Sequence, residues 1–161
     1  MYQTVINNML DGIDFQLLRE LQAEGRMTNV ELAARVGLTA PPCLRRMRAL
    51  EQSGIIRGYH ADIDGGKLGY GITVFAMVSL KSQAEDDLRA FEDHVRGLPQ
   101  VRECHMLNGE IDFILKIVAR NLQEFQELLT SQLTSAPKVT SVKTSLTIRT
   151  AKDEPGVPID P

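Results

Sequence analysis

Five arginines crowd between residues 35 and 57: Arg35, Arg45, Arg46, Arg48 and Arg57, against the single acid Glu51, a local net charge of +4. A guanidinium offers paired donors that match the N7 and O6 acceptors of guanine in a DNA major groove, or two oxygens of a phosphate. Arg45 and Arg48 are one helical turn apart, so a helix would present them together, while Arg46 lies about 100° around the axis and suits a phosphate. A second set of polar groups lies in Met106-Leu107-Asn108-Gly109-Glu110-Ile111-Asp112. Backbone N–H groups near Asn108-Gly109 could hold a carboxylate, because glycine lets a ligand approach closely. Glu110 or Asp112 could hold an ammonium, and the two together make the chemistry that a free amino acid needs. Each set has a plainer reading: a solvated helix face for the arginines, and a hairpin turn with exposed acids for residues 106–112.

The elements around the arginines decide what they can reach. Residues 11–24 read as a first helix with Ile13, Leu17, Leu18 and Leu21 on one side and Gly25 closing it. Thr28 can cap a second helix whose buried side is Leu32, Ala33 and Val36, and Gly37 permits a tight turn. A third helix runs from about Ala40 to Gln52, with Cys43, Leu44, Met47 and Leu50 pointing inward. Pro41, Arg45, Arg48 and Gln52 share another face, and Gly54 ends the helix. Two helices about a tight turn, the second basic, form the plan of a helix-turn-helix DNA reader. Thr39 would normally cap that helix by accepting from the N–H of the second or third helical residue. Those residues are Pro41 and Pro42, which have no N–H, so the Thr39 hydroxyl is free to meet a phosphate. The plainer reading is that the prolines only fix the helix start. Ile55 to Asp64 looks extended, and Gly65-Gly66 suggests a joint.

From Gly71 the periodicity is that of strands: Ile72, Val74, Ala76, Val78 and Leu80 alternate with Thr73, Phe75, Met77 and Ser79. Ser82 with Glu85 has capping-box spacing, and the helix after it carries Leu88, Phe91, Val95 and Leu98. Strand residues at 101–107 and 111–118 flank Asn108-Gly109, a hairpin signal. Asn121 with Glu124 again has capping-box spacing, ahead of a helix bearing Leu122, Phe125, Leu128, Leu129 and Leu133. A last strand spans about Val139 to Thr150. The order βαββαβ is a ferredoxin-like plan. Leu98-Pro99-Gln100-Val101 and Ala136-Pro137-Lys138-Val139 echo one another as helix-to-strand links. Some strand positions are apolar on both faces (Val74 with Phe75, Ile114 with Leu115), so the face bearing Phe75 and Met77 is expected to be an interface. Residues 151–161 hold no periodic pattern and are expected to be a loose tail.

Whole-chain numbers narrow the class. The chain has 161 residues, with 18 basic against 21 acidic. Its charge is segregated: from Gly58 onward there are 11 basic and 15 acidic residues, as expected for a DNA reader joined to a separate acidic domain. Cys43 and Cys104 lie in no metal-ligand or redox pattern and read as reduced thiols. No signal segment and no apolar run of membrane-spanning length is evident, so a cytoplasmic, nucleoid-associated location is expected. His60, His94 and His105 are isolated, without metal-ligand spacing. Gly65-Gly66-Lys67-Leu68-Gly69-Tyr70-Gly71 matches neither a P-loop nor a dinucleotide fingerprint. Met77 and Met106 are ordinary fillers by default. No nucleophile–base–acid set is present, which argues against an enzyme, and no cofactor is called for.

Asn29-Val30-Glu31-Leu32-Ala33, Val36-Gly37-Leu38-Thr39, Pro42-Cys43-Leu44, Arg48-x-Leu50-Glu51-x-x-Gly54-Ile55-Ile56 and Gly58-Tyr59 resemble the bacterial and archaeal leucine-responsive/asparagine-responsive (Lrp/AsnC) regulators. So do Cys104-His105-x-x-x-Gly109-x-x-Asp112 and Arg149-Thr150. The resemblance runs from about Leu10 to Lys152. It implies an α+β chain: an N-terminal winged helix-turn-helix domain (1–57), an extended hinge (58–70), a C-terminal ferredoxin-like βαββαβ ligand-sensing domain (71–150) and the tail. It implies double-stranded DNA as partner, a small-molecule effector, usually an amino acid, and homodimers that assemble into octamers. Thr39, Pro41, Arg45, Arg46 and Arg48 are then the DNA-binding candidates. Met106, Asn108, Gly109, Glu110 and Asp112 are the effector-binding ones. Two departures bear on specificity. Ala40-Pro41-Pro42 stands where relatives often carry a hydroxyl residue between prolines, and Glu110 stands where they often carry aspartate. The rival reading is an architectural protein that wraps DNA with little effector control.

Overall fold

The structure is a computed structural model and describes residues 10–160. The expectations about residues 1–9, the absent signal segment and the start of the first domain, lie outside that range. The chain forms two compact units. One comprises the chain up to Asp62 together with the segment from Lys152 onward; the other is Ile63–Ala151. Their junction falls inside the expected hinge.

The first unit is built on three helices: α1 (Gly12–Ala23), α2 (Asn29–Arg35) and α3 (Ala40–Gln52). Asp11 and Asp14 cap α1 reciprocally, each carboxylate accepting from the other's backbone N–H, which satisfies two of the orphan donors at a helix start. Thr28 and Glu31 do the same for α2. At its end Gly37 takes φ +71°, the left-handed conformation that a side chain resists. The Leu38 N–H then reaches the Ala33 carbonyl at 2.8 Å and the Gly37 N–H the Ala34 carbonyl at 3.4 Å, a paired C-terminal stop that turns the chain into α3. Leu17, Leu21, Leu32, Ala33, Val36, Cys43 and Leu50 form the core, so the apolar stripes of all three helices meet. The segment after α3, where a wing would lie, forms no strand among the described residues.

The second unit is a four-stranded antiparallel sheet under two helices: β1 (Ile72–Leu80), α4 (Glu85–Arg96), β2 (Val101–Met106), β3 (Phe113–Ala119), α5 (Leu122–Leu128, its last turn widened over Leu129–Leu133) and β4 (Val139–Leu146). The sheet order is β2-β3-β1-β4, the ferredoxin-like arrangement. Val74, Ala76, Val78, Phe113, Leu115 and Ile117 alternate inward to meet Phe91, Val95, Phe125, Leu128 and Leu133, and the Phe91 and Phe113 rings lie 4.8 Å apart. Among the described residues of this unit, no helix covers the opposite face.

Three local expectations are corrected. Ser82 and Glu85 make no capping box: α4 starts after Ala84 without a side-chain cap, and Ser82 accepts only from the Ala84 N–H. Asn121 does cap α5, accepting from the Glu124 N–H at 2.8 Å, while Glu124 reaches the Arg120 N–H. The Asn108-Gly109 signal marks no two-residue hairpin. Such a turn needs positive φ at both central residues, Gly109 has none, and the strands are joined by a longer loop, 107–112. β4 also stops at Leu146, short of Thr150.

Residues 152–160 form no helix or strand, in keeping with their lack of pattern. They are nevertheless fastened to α1. The Gln22 side-chain amide donates to the Val157 carbonyl at 2.8 Å and its oxygen accepts from the Val157 N–H at 3.4 Å, as a neighbouring strand would. Gly156 makes this approach at φ +72°, and a Cβ there would overlap the Gln22 amide. Gly156→Ala should therefore detach the tail. Hydrogen exchange at the Val157 amide should speed up and protease cutting near Lys152 should increase, with the α1–α3 core unchanged. Unaltered exchange at Val157 would show that the tail is not held by this contact.

Candidate DNA-reading face and effector loop

Helix α3 sorts its arginines into two groups. Arg45 and Arg48 are exposed, and among the described residues neither has an ion-pair or hydrogen-bond partner, unlike Arg35 and Arg46. With Pro41, Leu44, Ala49 and Gln52 they line a shallow groove of about 420 Å³. Thr39 is exposed and its side chain makes no capping bond, so its hydroxyl is available, as the two prolines imply. The Asn29 side chain donates to the Ala40 carbonyl at 2.8 Å and so ties the start of α2 to the start of α3.

Arg46, the arginine expected to meet a phosphate, is engaged within the fold. Its Nη1 lies 2.7 Å from Asp11 and 2.9 Å from Asp14, both on the N-terminal turn of α1. The 100° offset that separates it from Arg45 turns it toward α1 and a pair of acids. Asp11 is held below its ordinary value of 3.8, chiefly by the Asp14 backbone N–H and also by Arg46. Leu44 departs from the expected inward stripe in the opposite direction: it is 36% exposed and shares the outer face of α3 with Arg45 and Arg48. Met47 behind it is half-buried, and Cys43 and Leu50 supply the inward contacts.

In the sensing unit, residues 107–112 join β2 to β3. Met106, Asn108, Gly109 and Glu110 are exposed, and Met106 and Leu107 keep 60% and 40% of their surface. Among the described residues no group accepts from the backbone N–H of Asn108, Gly109, Glu110 or Ile111. Asp112 is unlike its neighbours, being 7% exposed. One carboxylate oxygen accepts from the Leu80 N–H at 2.6 Å and the other from the Gln83 amide at 2.9 Å. Its backbone N–H donates to Val78 and its carbonyl accepts from the Leu107 N–H. Two of these four bonds close the loop onto the end of β1. Of the two acids weighed for an ammonium, Glu110 points to solvent and Asp112 is committed inward.

Residues 10–57 match the winged helix-turn-helix DNA-binding family and residues 73–157 match the Lrp/AsnC ligand binding domain. The chain belongs to the Lrp/AsnC family. A leucine-responsive regulatory protein of Rhizobium meliloti is 51% identical over 149 residues, 92% of this chain and 96% of that protein. The Escherichia coli K12 leucine-responsive regulatory protein is 37% identical over 89% of this chain and 87% of its own. A Neisseria meningitidis transcriptional regulator solved as its L-methionine complex superposes with a TM-score of 0.90 at 34% identity, covering 94% of this chain and 98% of that one. This Lrp/AsnC member is therefore a DNA-binding transcriptional regulator with a small-molecule-sensing domain. The relatives are regulators rather than enzymes, and among the described residues no helix is long and apolar enough to cross a membrane.

Sequence reasoning missed the partners that hold the regulator's sites: Asp11 and Asp14 under Arg46, Asn29 under Ala40, and Gln83 under Asp112. The Asp11-x-x-Asp14 spacing was the only visible signal among them. Arg46→Ala should lower stability by roughly 1–3 kcal/mol, since it leaves the largely buried Asp14 short of a partner. It should weaken DNA binding only in proportion to unfolding. Because folding depresses the Asp11 pKa, that group's contribution is full above its unfolded value near 3.8 and is lost as pH falls through the folded value. Arg46→Ala should therefore flatten the acid limb of a melting-temperature profile. A uniform loss of DNA affinity at unchanged stability would restore Arg46 to the phosphate role.

Proposed function

We propose that this regulator reads DNA with the exposed face of α3 and that an amino acid, held in the 106–112 loop, changes its assembly and so its DNA affinity. The observation that carries the reading is the division of α3: Thr39, Arg45 and Arg48 carry free polar groups on one side while Arg46 is spent inside the fold. In this reading Arg45 and Arg48 grip base edges, Thr39 meets a phosphate, and Pro41 lets the helix start lie close to the duplex.

On the sensing side, the unengaged N–H groups of residues 108–111 take the effector's carboxylate, and Glu110 takes its ammonium. Met106 and Leu107 supply apolar surface for its side chain, and Asp112 holds the loop in place. The L-methionine complex of the Neisseria meningitidis relative and the leucine-responsive names of other relatives make apolar amino acids the first to try. A second copy of the chain covers the open sheet face, where Phe75 is 37% exposed beside half-buried Met77, Ile114 and Val118. An uncovered apolar patch of this kind marks an interface. Dimers paired in this way, and octamers built from them, bring several reading helices to one duplex.

The test uses the full-length protein, a selected DNA site, and L-leucine and L-methionine as probes. Arg45→Ala or Arg48→Ala should each cost roughly 1–3 kcal/mol on the selected site and far less on random DNA. Phe75→Asp should reduce the assembly in sedimentation and weaken DNA binding with it. Glu110→Gln should abolish the amino-acid response at unchanged melting temperature, whereas Asp112→Asn should lower the melting temperature. Strong DNA binding that no amino acid alters would favour the architectural rival. Equal losses on specific and random DNA for both arginines would remove them from base reading.

A further inference from the structure

The reading face of α3 is not uniformly polar. Its residues fall into two parallel rows at four-residue spacing, Pro41–Arg45–Ala49 and Leu44–Arg48–Gln52. In each row an apolar side chain sits one turn before the arginine, toward the N-terminal end, where reading helices meet base edges. Leu44 does not follow its neighbours Cys43 and Met47 into the core. Instead it is 36% exposed and lines the groove beside the two unpartnered arginines.

We propose that Leu44, packed alongside Pro41, is a specificity-determining residue that contacts the 5-methyl group of thymine. This rests on the reading of α3 as the DNA-recognition helix. Thymine alone presents a methyl to the major groove, and an apolar side chain is its natural partner. Two flanking cations disfavour an apolar protein partner for the same patch and favour a polyanion. Position follows from geometry. Four helical residues advance about 6 Å and one base step about 3.4 Å. The thymine therefore lies one or two base pairs from a guanine held by Arg48.

The experiment selects preferred duplex sites with the full-length protein and locates the arginine-dependent guanines as those where Arg48→Ala or Arg45→Ala relaxes the preference. Each nearby thymine is then replaced by uracil, which deletes only the methyl. Losing one buried methyl contact should weaken binding about three- to fourfold, and about ten- to fifteenfold when both half-sites are changed. Leu44→Ala should bind thymine and uracil sites alike, and Leu44→Met, which keeps an apolar tip, should retain the discrimination. Melting temperatures should match throughout, since Leu44 is outside the core. Indifference of the wild-type protein to uracil at every thymine near those guanines would overturn the proposal. So would a uracil penalty that persists undiminished in Leu44→Ala. If the protein selects no sequence at all, the α3 reading itself falls and this proposal falls with it, which is a separate outcome from specific binding that ignores the methyl.

Discussion

A buried carboxylate governs the sensing end of the molecule. β3 begins at Phe113, opposite Val78, so the backbone of β1 beyond that point has lost its partner strand on one side. Asp112 supplies what is missing: its side chain accepts from the Leu80 N–H and its backbone donates to Val78. An orphan N–H at that depth would cost about 1–3 kcal/mol. The same carboxylate draws in Gln83, in the approach to α4. One residue thereby fixes the end of β1, the start of β3 and the entry to α4, and the loop between β2 and β3 inherits its shape from that arrangement. The open N–H groups of 108–111 are a consequence. Once Leu107 and Asp112 are bonded across the base of the loop, its tip has no strand left to pair with.

The reading unit follows the same logic of prior commitments. Helix α3 carries three arginines within four positions, and like charges at that density would repel if all faced the same way. Turning Arg46 onto Asp11 and Asp14 removes one charge from the exposed face and uses it to lock α1 against α3. Arg45 and Arg48 then remain exposed, one helical turn apart. Asn29 and the Gly37 stop set where α3 begins, so the position of Thr39 and the apolar pair behind it is fixed by α2. The arrangement is preorganised by bonds that involve no DNA.

Most of this architecture was legible because it rests on periodicity. The three helices, their inward faces and the βαββαβ order all follow from apolar spacing, and α3 was bounded at Ala40 and Gln52 from its prolines and its glycine stop. The freedom of Thr39 was also legible, since it depends only on which residues lack an N–H. What escaped were choices between equivalent partners. Leu44 and Met47 both fit an inward stripe, yet Met47 packs against the core and Leu44 is left outside it. Arg46 and Asp112 look like exposed charges in sequence, because their partners are far away or come from backbone. The Asn108-Gly109 pair misled for a related reason: its preference for a tight turn is worth little against the four bonds that Asp112 makes. The tail at 155–158 lacks any pattern because its attachment is through backbone groups, which any residue has.

The proposed link from effector to DNA then needs no deformation of the reading unit. A ligand shifts an equilibrium only by binding one state better than another, and the effector loop lies at the end of the same sheet whose open face is the expected subunit contact. If a bound amino acid favours one assembly, it changes how many reading helices are joined. Joining two weak readers raises their effective concentration on a paired site and multiplies avidity by roughly 10²–10⁴. Breaking the assembly forfeits that factor although every side chain on α3 stays where it was. The separation of tasks in the sequence, a basic reader and an acidic sensor, fits this proposed route, in which the sensor acts through the number of copies held together.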